Sequence, residues 1–193
     1  TTASVIEAIW LALGTHPYHK ITVPNRGKMY GESFPTIDET LRLKFEEWLP
    51  RKFLSNKKPF VHNQMGHLIG VNFQNGSMIR IGSYDQEESK AEGSNWHYCA
   101  FDEPPPRNIY VANFRGIVDF GGLMWFSATP LSEAWMFDDL WVPGINGEKD
   151  YIECFSGSSE DNPHLDQKTL KLYFQELTEA EREVRYYGKF ARL

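Results

Sequence analysis

The sequence predicts an α/β fold, a parallel-rich central sheet with helices on both faces and a β-hairpin insertion. Three observations predict it. Continuous apolar runs that read as buried strands alternate with segments of helical spacing. Two of those runs lack the apolar/polar alternation of a half-solvated strand, which is the mark of strands covered on both faces. Asn75-Gly76, set between two apolar stretches, is the strongest short-range hairpin signal a sequence can carry.

The elements follow in order. Val5, Ile9, Ala12 and Leu13 recur at helical spacing from Thr1, and Gly14 supplies the stop. Lys20 to Pro24 reads as a short strand ended by proline. Thr36 to Leu49 reads as a second helix with Ile37, Leu41, Phe45 and Trp48 on one side. Ile69 to Phe73 and Met78 to Ile81 form the hairpin. Trp96 to Phe101 and Leu123 to Phe126 are the buried strands, and Tyr151 to Phe155 reads as a third. Pro163 is placed as the first residue of a helix running to about Glu176. Thr178 and Glu181 have capping-box spacing for a last helix, closed by Gly188. No repeat or low-complexity tract interrupts the 193 residues, which read as a single domain.

Composition narrows the function. A net charge of −6 argues against a surface built mainly to grip nucleic acid, since that needs clustered Lys and Arg. Arg51, Lys52, Lys57 and Lys58 form the dense basic cluster; it reads first as a solvated loop, and contact with a DNA backbone is the other reading. No apolar run is long enough to cross a bilayer. The two cysteines, Cys99 and Cys154, both sit in apolar stretches and read as buried thiols of a reducing compartment. His62, His67 and His164 lack metal-site spacing.

The chemistry concentrates at strand ends. The run His97-Tyr98-Cys99-Ala100-Phe101 delivers two adjacent carboxylates, Asp102 and Glu103, at its carboxyl end. That pattern matches the second nucleotide motif of P-loop ATPases, where the first carboxylate helps hold magnesium and the second polarises the attacking water. Ligands of open α/β sheets bind beyond the carboxyl ends of the strands, where this pair falls. An acidic turn in solvent is the alternative for the pair alone. On the following buried strand, Ser127-Ala128-Thr129-Pro130 stands where translocating ATPases sense the γ-phosphate. No G-x-x-x-x-G-K-[ST] occurs in the chain, yet Thr1-Thr2 running directly into a helix has the form of the residues that follow such a loop. Thr1, or Thr2, is then the magnesium-coordinating hydroxyl; the other reading is a helix cap.

A family resemblance rests on these motifs together. Thr1 to Trp10, Val23-Pro24-Asn25-Arg26-Gly27-Lys28, Ser83-Tyr84-Asp85-Gln86, the Asp102-Glu103-Pro104-Pro105 ending, Ser127-Ala128-Thr129-Pro130, Asp161-Asn162-Pro163 and Arg182 to Gly188 resemble large terminase subunits of phages across essentially the whole chain. The resemblance implies a RecA-like core, residues 1–193, that binds ATP and Mg2+ and drives double-stranded DNA into a procapsid. It implies magnesium near Thr1 and Asp102, Glu103 as the catalytic carboxylate, and Ser127, Ala128 and Thr129 as the coupling motif. It also implies a homo-oligomeric ring working with a portal protein and a small terminase subunit in the host cytoplasm, at the portal vertex, with no membrane.

The same resemblance places a phosphate-binding loop before Thr1 and a nuclease after Leu193, so residues 1–193 alone are expected to turn over ATP negligibly. One position departs from the family pattern: the arginine finger expected before Gly93 is replaced by Glu92, with Lys90 nearby. Either the finger lies before Thr1 or it comes from elsewhere, with Arg80, Arg107 and Arg115 as candidates that read first as ordinary surface or salt-bridge arginines. Two other readings stay open: a helicase-like DNA translocase, because Ser-Ala-Thr after an Asp-Glu strand occurs there too, and a non-catalytic scaffold.

Overall fold

The computed structural model describes residues 1–85, 94–129 and 134–190. They divide into two compact units, Thr1–Ala128 and Thr129–Leu193. Lys90, Glu92 and Gly93, together with Gln86 and Pro130, lie outside the described residues.

The first unit is a six-stranded sheet in the order β2-β3-β4-β1-β5-β6, with β1 Arg26–Gly31, β2 Phe60–His62, β3 Leu68–Asn72, β4 Met78–Ser83, β5 Tyr98–Asp102 and β6 Leu123–Ser127. Strands β4, β1, β5 and β6 run parallel, and β2 and β3 join antiparallel at one edge. This is the α/β arrangement expected, with the hairpin turn at Asn75-Gly76.

Helices cover both faces. On one, α1 (Thr2–Leu13), α2 (Phe34–Glu39) and α3 (Leu41–Trp48) bury Val5, Leu11, Ile37 and Phe45 against Met29, Ile79, Ile81, Tyr98 and Ala100. On the other, α4 (Arg107–Ile117) buries Ile109, Ala112 and Ile117 with Tyr30, Cys99 and Phe101. Burying one such side chain contributes roughly 1.5–3 kcal/mol, so these two layers dominate the stability of the unit.

The register of α1 is set at both ends. Trp125 Nε1 donates to Ser4 Oγ at 2.8 Å near its start. At its end, Asn25 Nδ2 donates to Leu11 O at 2.8 Å and Asn75 Nδ2 to Ala12 O at 2.9 Å, satisfying carbonyls the helix leaves open. Gly14 closes it in the left-handed conformation at φ 70°.

Several sequence expectations are corrected. Lys20 to Pro24 is not a strand; pairing starts at Arg26, past a proline that has no N–H to offer a ladder. Gly27 makes the shift possible, because a Cβ there would run into the ring of Tyr98. The helix over Thr36 to Leu49 is two helices. Thr40 Oγ1 donates to Thr36 O at 2.7 Å and the backbone breaks at Thr40, with φ −117° and ψ −81°.

Residues 104–122 carry a helix that periodicity did not expose, introduced by Pro104-Pro105-Pro106 and built on a face that mixes Ile109 with the buried Asn113.

In the second unit, Tyr151 to Phe155 forms no strand. Tyr151 and Phe155 are 68% and 84% exposed, and none of the five residues pairs as a strand. Cys154 is accordingly only half-buried, while Cys99 is fully buried; burial raises the pKa of both thiols. The helix expected from Pro163 begins at Gln167, where Asp166 caps it by accepting from Thr169 N at 2.7 Å. The capping box at Thr178 and Glu181 forms as expected, and Gly188 follows with φ 64°. Leu170, Leu177 and Tyr186 make this unit's small core.

Candidate nucleotide site at the carboxyl ends of the sheet

Strand β5 is buried along its whole length and ends at Asp102, which is 7% exposed. Its register pairs Asp102 with Ser127, the last residue of β6, and Glu103 N donates to Ser127 O at 2.9 Å. The acidic pair and the Ser127-Ala128 strand end therefore lie side by side. Thr129 follows directly and opens the second unit.

Thr1 reaches the same point from α1. Its hydroxyl donates to Asp102 Oδ2 at 3.0 Å, and its nitrogen lies 3.3 Å from Oδ1. The second contact is a proximity rather than a hydrogen bond, since Oδ1 has no hydrogen-bond partner. Thr2 lies one residue further, as the first residue of α1. Thr1 is the hydroxyl that meets the carboxylate.

Glu103 is half-buried and has φ 68°, the left-handed region that costs a non-glycine residue about 1–2 kcal/mol. Tyr84, which follows β4, holds this turn. Its hydroxyl donates to Glu103 O at 2.7 Å and to Asp102 O at 3.1 Å. Burial first, and then the charge of Asp102, holds the phenol far above its ordinary pKa, so it stays a donor. The Tyr84 ring stacks on Tyr30, which stacks on Phe101 one residue before the acidic pair. Sequence reasoning placed Tyr84 within a resembling segment but gave it no task. The signal that could have found it was its position directly after a strand of the parallel set.

The donors at this end suit a hard divalent cation. Magnesium takes oxygen ligands, keeps several waters, and is held by one or two carboxylates together with substrate phosphates. A threonine hydroxyl and a buried carboxylate whose Oδ1 has no hydrogen-bond partner are such a set. Among the described residues no cluster of three or more His, Cys, Asp or Glu side chains could hold a metal by itself.

The arginine candidates scatter. Arg107 is exposed and opens α4, four residues after Glu103. Arg80 lies mid-strand in β4, with its guanidinium across Gly70 of β3. Arg115 is exposed near the far end of α4, beside a hollow lined by Ser94, Asn95 and Asp119. No helix among the described residues is long and apolar enough to cross a membrane.

No protein-family model matches the chain, and no curated protein matches it. Solved structures do. The large terminase of a thermophilic bacteriophage superposes with a TM-score of 0.72 at 15% identity, over 97% of this chain and 44% of that one. The same protein in complex with ADP gives 0.69 at 15% identity, over 97% and 44%. In complex with ATP-γ-S it gives 0.64 at 15% identity, over 97% and 43%. This chain thus spans less than half the length of the terminases it matches. Its mostly parallel sheet, covered on both faces, has the fold of these large terminase structures over 97% of its length.

Proposed function

We propose that this chain is the ATPase core of a viral DNA-packaging motor, coupling Mg-ATP hydrolysis to the movement of double-stranded DNA into a procapsid. The observation that carries the reading is the contact of the Thr1 hydroxyl with the Asp102 carboxylate, set beside Glu103 and the end of β6. Fold-level likeness to a terminase that binds ADP and ATP-γ-S supports it.

In this reading Thr1 and Asp102 hold Mg2+ at the end of β5. The ion would supply neutralisation of the charge that develops during phosphoryl transfer. Glu103 is the catalytic carboxylate that orients and polarises the attacking water. The strained turn at Glu103 is fixed by Tyr84 and by Ser127 O, so its carboxylate is positioned before substrate arrives, and preorganisation of this kind supplies much of the barrier reduction. Ser127, which pairs with Asp102, would act with the following Ala128 and Thr129 as the motif that senses loss of the γ-phosphate. Among the arginines, Arg107 lies nearest in sequence to this end, whereas Arg80 and Arg115 would have to serve a neighbouring subunit of a ring. The portal, the small terminase subunit and the host cytoplasm belong to the same proposal.

The test is magnesium-dependent ATP hydrolysis by the full-length protein beside Glu103→Gln. The expected result is turnover by the unaltered protein, with a variant that binds nucleotide and does not hydrolyse it. Equal turnover by both would remove Glu103 from the chemistry. Nucleotide binding by neither would put the scaffold reading first.

A further inference from the structure

The charges of this chain are segregated. From Trp48 to Tyr84 the sequence contains no aspartate or glutamate, although the whole chain has 26 of them. The same stretch has five lysines and arginines, so it is positive within a chain of net charge −6. Soluble surfaces ordinarily intersperse both signs, and a single-sign region creates a field that concentrates oppositely charged partners.

The tertiary structure gathers four of the five cations on one element. Arg51, Lys52, Lys57 and Lys58 are all exposed on the loop that joins α3 to β2. Among the described residues none of the four meets a carboxylate. By contrast Arg42 and Lys44, on the preceding helix, are paired with Glu46 and Glu47.

The loop is also strapped down. Ser55 N donates to Asn72 O at 2.9 Å, Gln74 N to Phe53 O at 2.8 Å and Asn72 N to Pro59 O at 2.8 Å. Asn72 Nδ2 donates to Lys58 O at 2.9 Å. Leu54 is buried beneath it and forms a bridge with Phe73. A loop fixed in this way presents its cations without first losing backbone entropy, which is the cost that weakens recognition by mobile basic tails.

Its place in the sheet separates it from the candidate nucleotide site. Asn72 pairs with Met78 at the amino end of β4, whereas Asp102 ends β5 at the carboxyl end, three strands away. A polyanion on this loop leaves the nucleotide end open.

We propose that the strapped loop carrying Arg51, Lys52, Lys57 and Lys58 is where this unit contacts the phosphate backbone of double-stranded DNA. The inference rests on the motor reading for the identity of the polyanion and adds to it the contacting surface. Contacts of this kind carry no base information, as a track of arbitrary sequence requires.

The experiment measures binding of a double-stranded oligonucleotide to the full-length protein across a salt series, with ATP turnover recorded without DNA. The quadruple variant Arg51→Gln/Lys52→Gln/Lys57→Gln/Lys58→Gln is compared with Lys168→Gln/Lys171→Gln, exposed lysines of the second unit. Removing one cation–phosphate pair should lower the slope of log K against log salt by about 0.9, with affinity down roughly tenfold or more for the four together. The control and the DNA-free turnover should not change. An unaltered slope in the quadruple variant overturns the proposal and leaves the ATPase reading standing. Loss of DNA binding in that variant, in a protein that neither binds nor hydrolyses ATP, keeps the loop and removes the motor. Retained DNA binding with loss of an acidic protein partner overturns the proposal in favour of that partner.

Discussion

The hydroxyl of Thr1 donates to Oδ2 of Asp102 across 3.0 Å, joining the start of α1 to the end of β5 over a sequence separation of 101 residues. A hydrogen bond to a charged group contributes about 1.5–3 kcal/mol. Thr1→Val should therefore weaken magnesium-dependent nucleotide binding by about 10- to 100-fold in the full-length protein, while Thr1→Ser keeps it. Titration with ATP, with and without magnesium, checks both. Equal affinity of the two variants would show that the hydroxyl is only a structural tie.

Glu103 sits at φ 68°, where glycine is at ease and glutamate is not. Glu103→Gly should abolish ATP turnover and at the same time leave the protein as stable as before or more so, by up to about 1 kcal/mol. Thermal unfolding and hydrolysis measured on the same sample test the two halves. A clear loss of stability would show that the side chain, rather than the turn, holds this end together.

Tyr84 donates one hydroxyl to two carbonyls of the acidic turn. Tyr84→Phe keeps the ring stack on Tyr30 and removes only the donor, at a cost of about 0.5–1.5 kcal/mol for a lost hydrogen bond. The expected signature is a fall in kcat with nucleotide affinity little changed, because the turn that aims Glu103 is loosened. A change in KM alone would contradict it.

Asp38 links α2 to the hairpin, accepting from Leu68 N at 3.0 Å and meeting His67 Nδ1 at 2.7 Å. Burial pushes its carboxyl pKa up, but the Leu68 and His67 contacts outweigh that and hold it below the ordinary aspartate value. A carboxyl depressed by folding stabilises above its unfolded pKa and loses that contribution as pH falls through the folded value. Unfolding curves from about pH 5 down to pH 3 should thus show a decline that Asp38→Asn flattens. A parallel decline in both proteins would place the acid sensitivity elsewhere.

Residues 1–193 contain no glycine-rich loop bearing a lysine, and such a loop supplies the backbone N–H groups and the cation that cradle the phosphates. This stretch by itself is expected to hydrolyse ATP negligibly. A coupled phosphate-release assay on residues 1–193 would show otherwise if turnover approached the 1–100 s⁻¹ order of phosphoryl-transfer enzymes.

Much was legible in the chain alone, and for a common reason. The buried strand ending in Asp102-Glu103, the strand ending at Ser127 (half-buried along its length rather than buried as the apolar run suggested), the Asn75-Gly76 hairpin and the Thr178–Glu181 capping box are local patterns. Each depends on residues within a few positions of one another, so apolar continuity and turn chemistry reveal them. The same locality misled where context was missing. Tyr151 to Phe155 has the composition of a strand but forms none, with both ends of the run exposed, and Thr40 breaks a periodic helix by bonding back to Thr36.

What only the tertiary structure decided are the contacts between distant residues. The sequence identified Thr1 and Asp102 separately; the packing of α1 across β5 and β6, keyed by Ser4 and Trp125, brings them within hydrogen-bond reach. The role of Tyr84 depends on β4 ending on the same side of the sheet as β5, with β1 between them. The four loop cations lie close together in sequence, but their fixed backbone comes from strapping to β3. Sequence sets the chemistry of each position through its neighbours along the chain. The sheet register sets which of those chemistries meet, because hydrogen-bonded pairing fixes every strand end to within one residue.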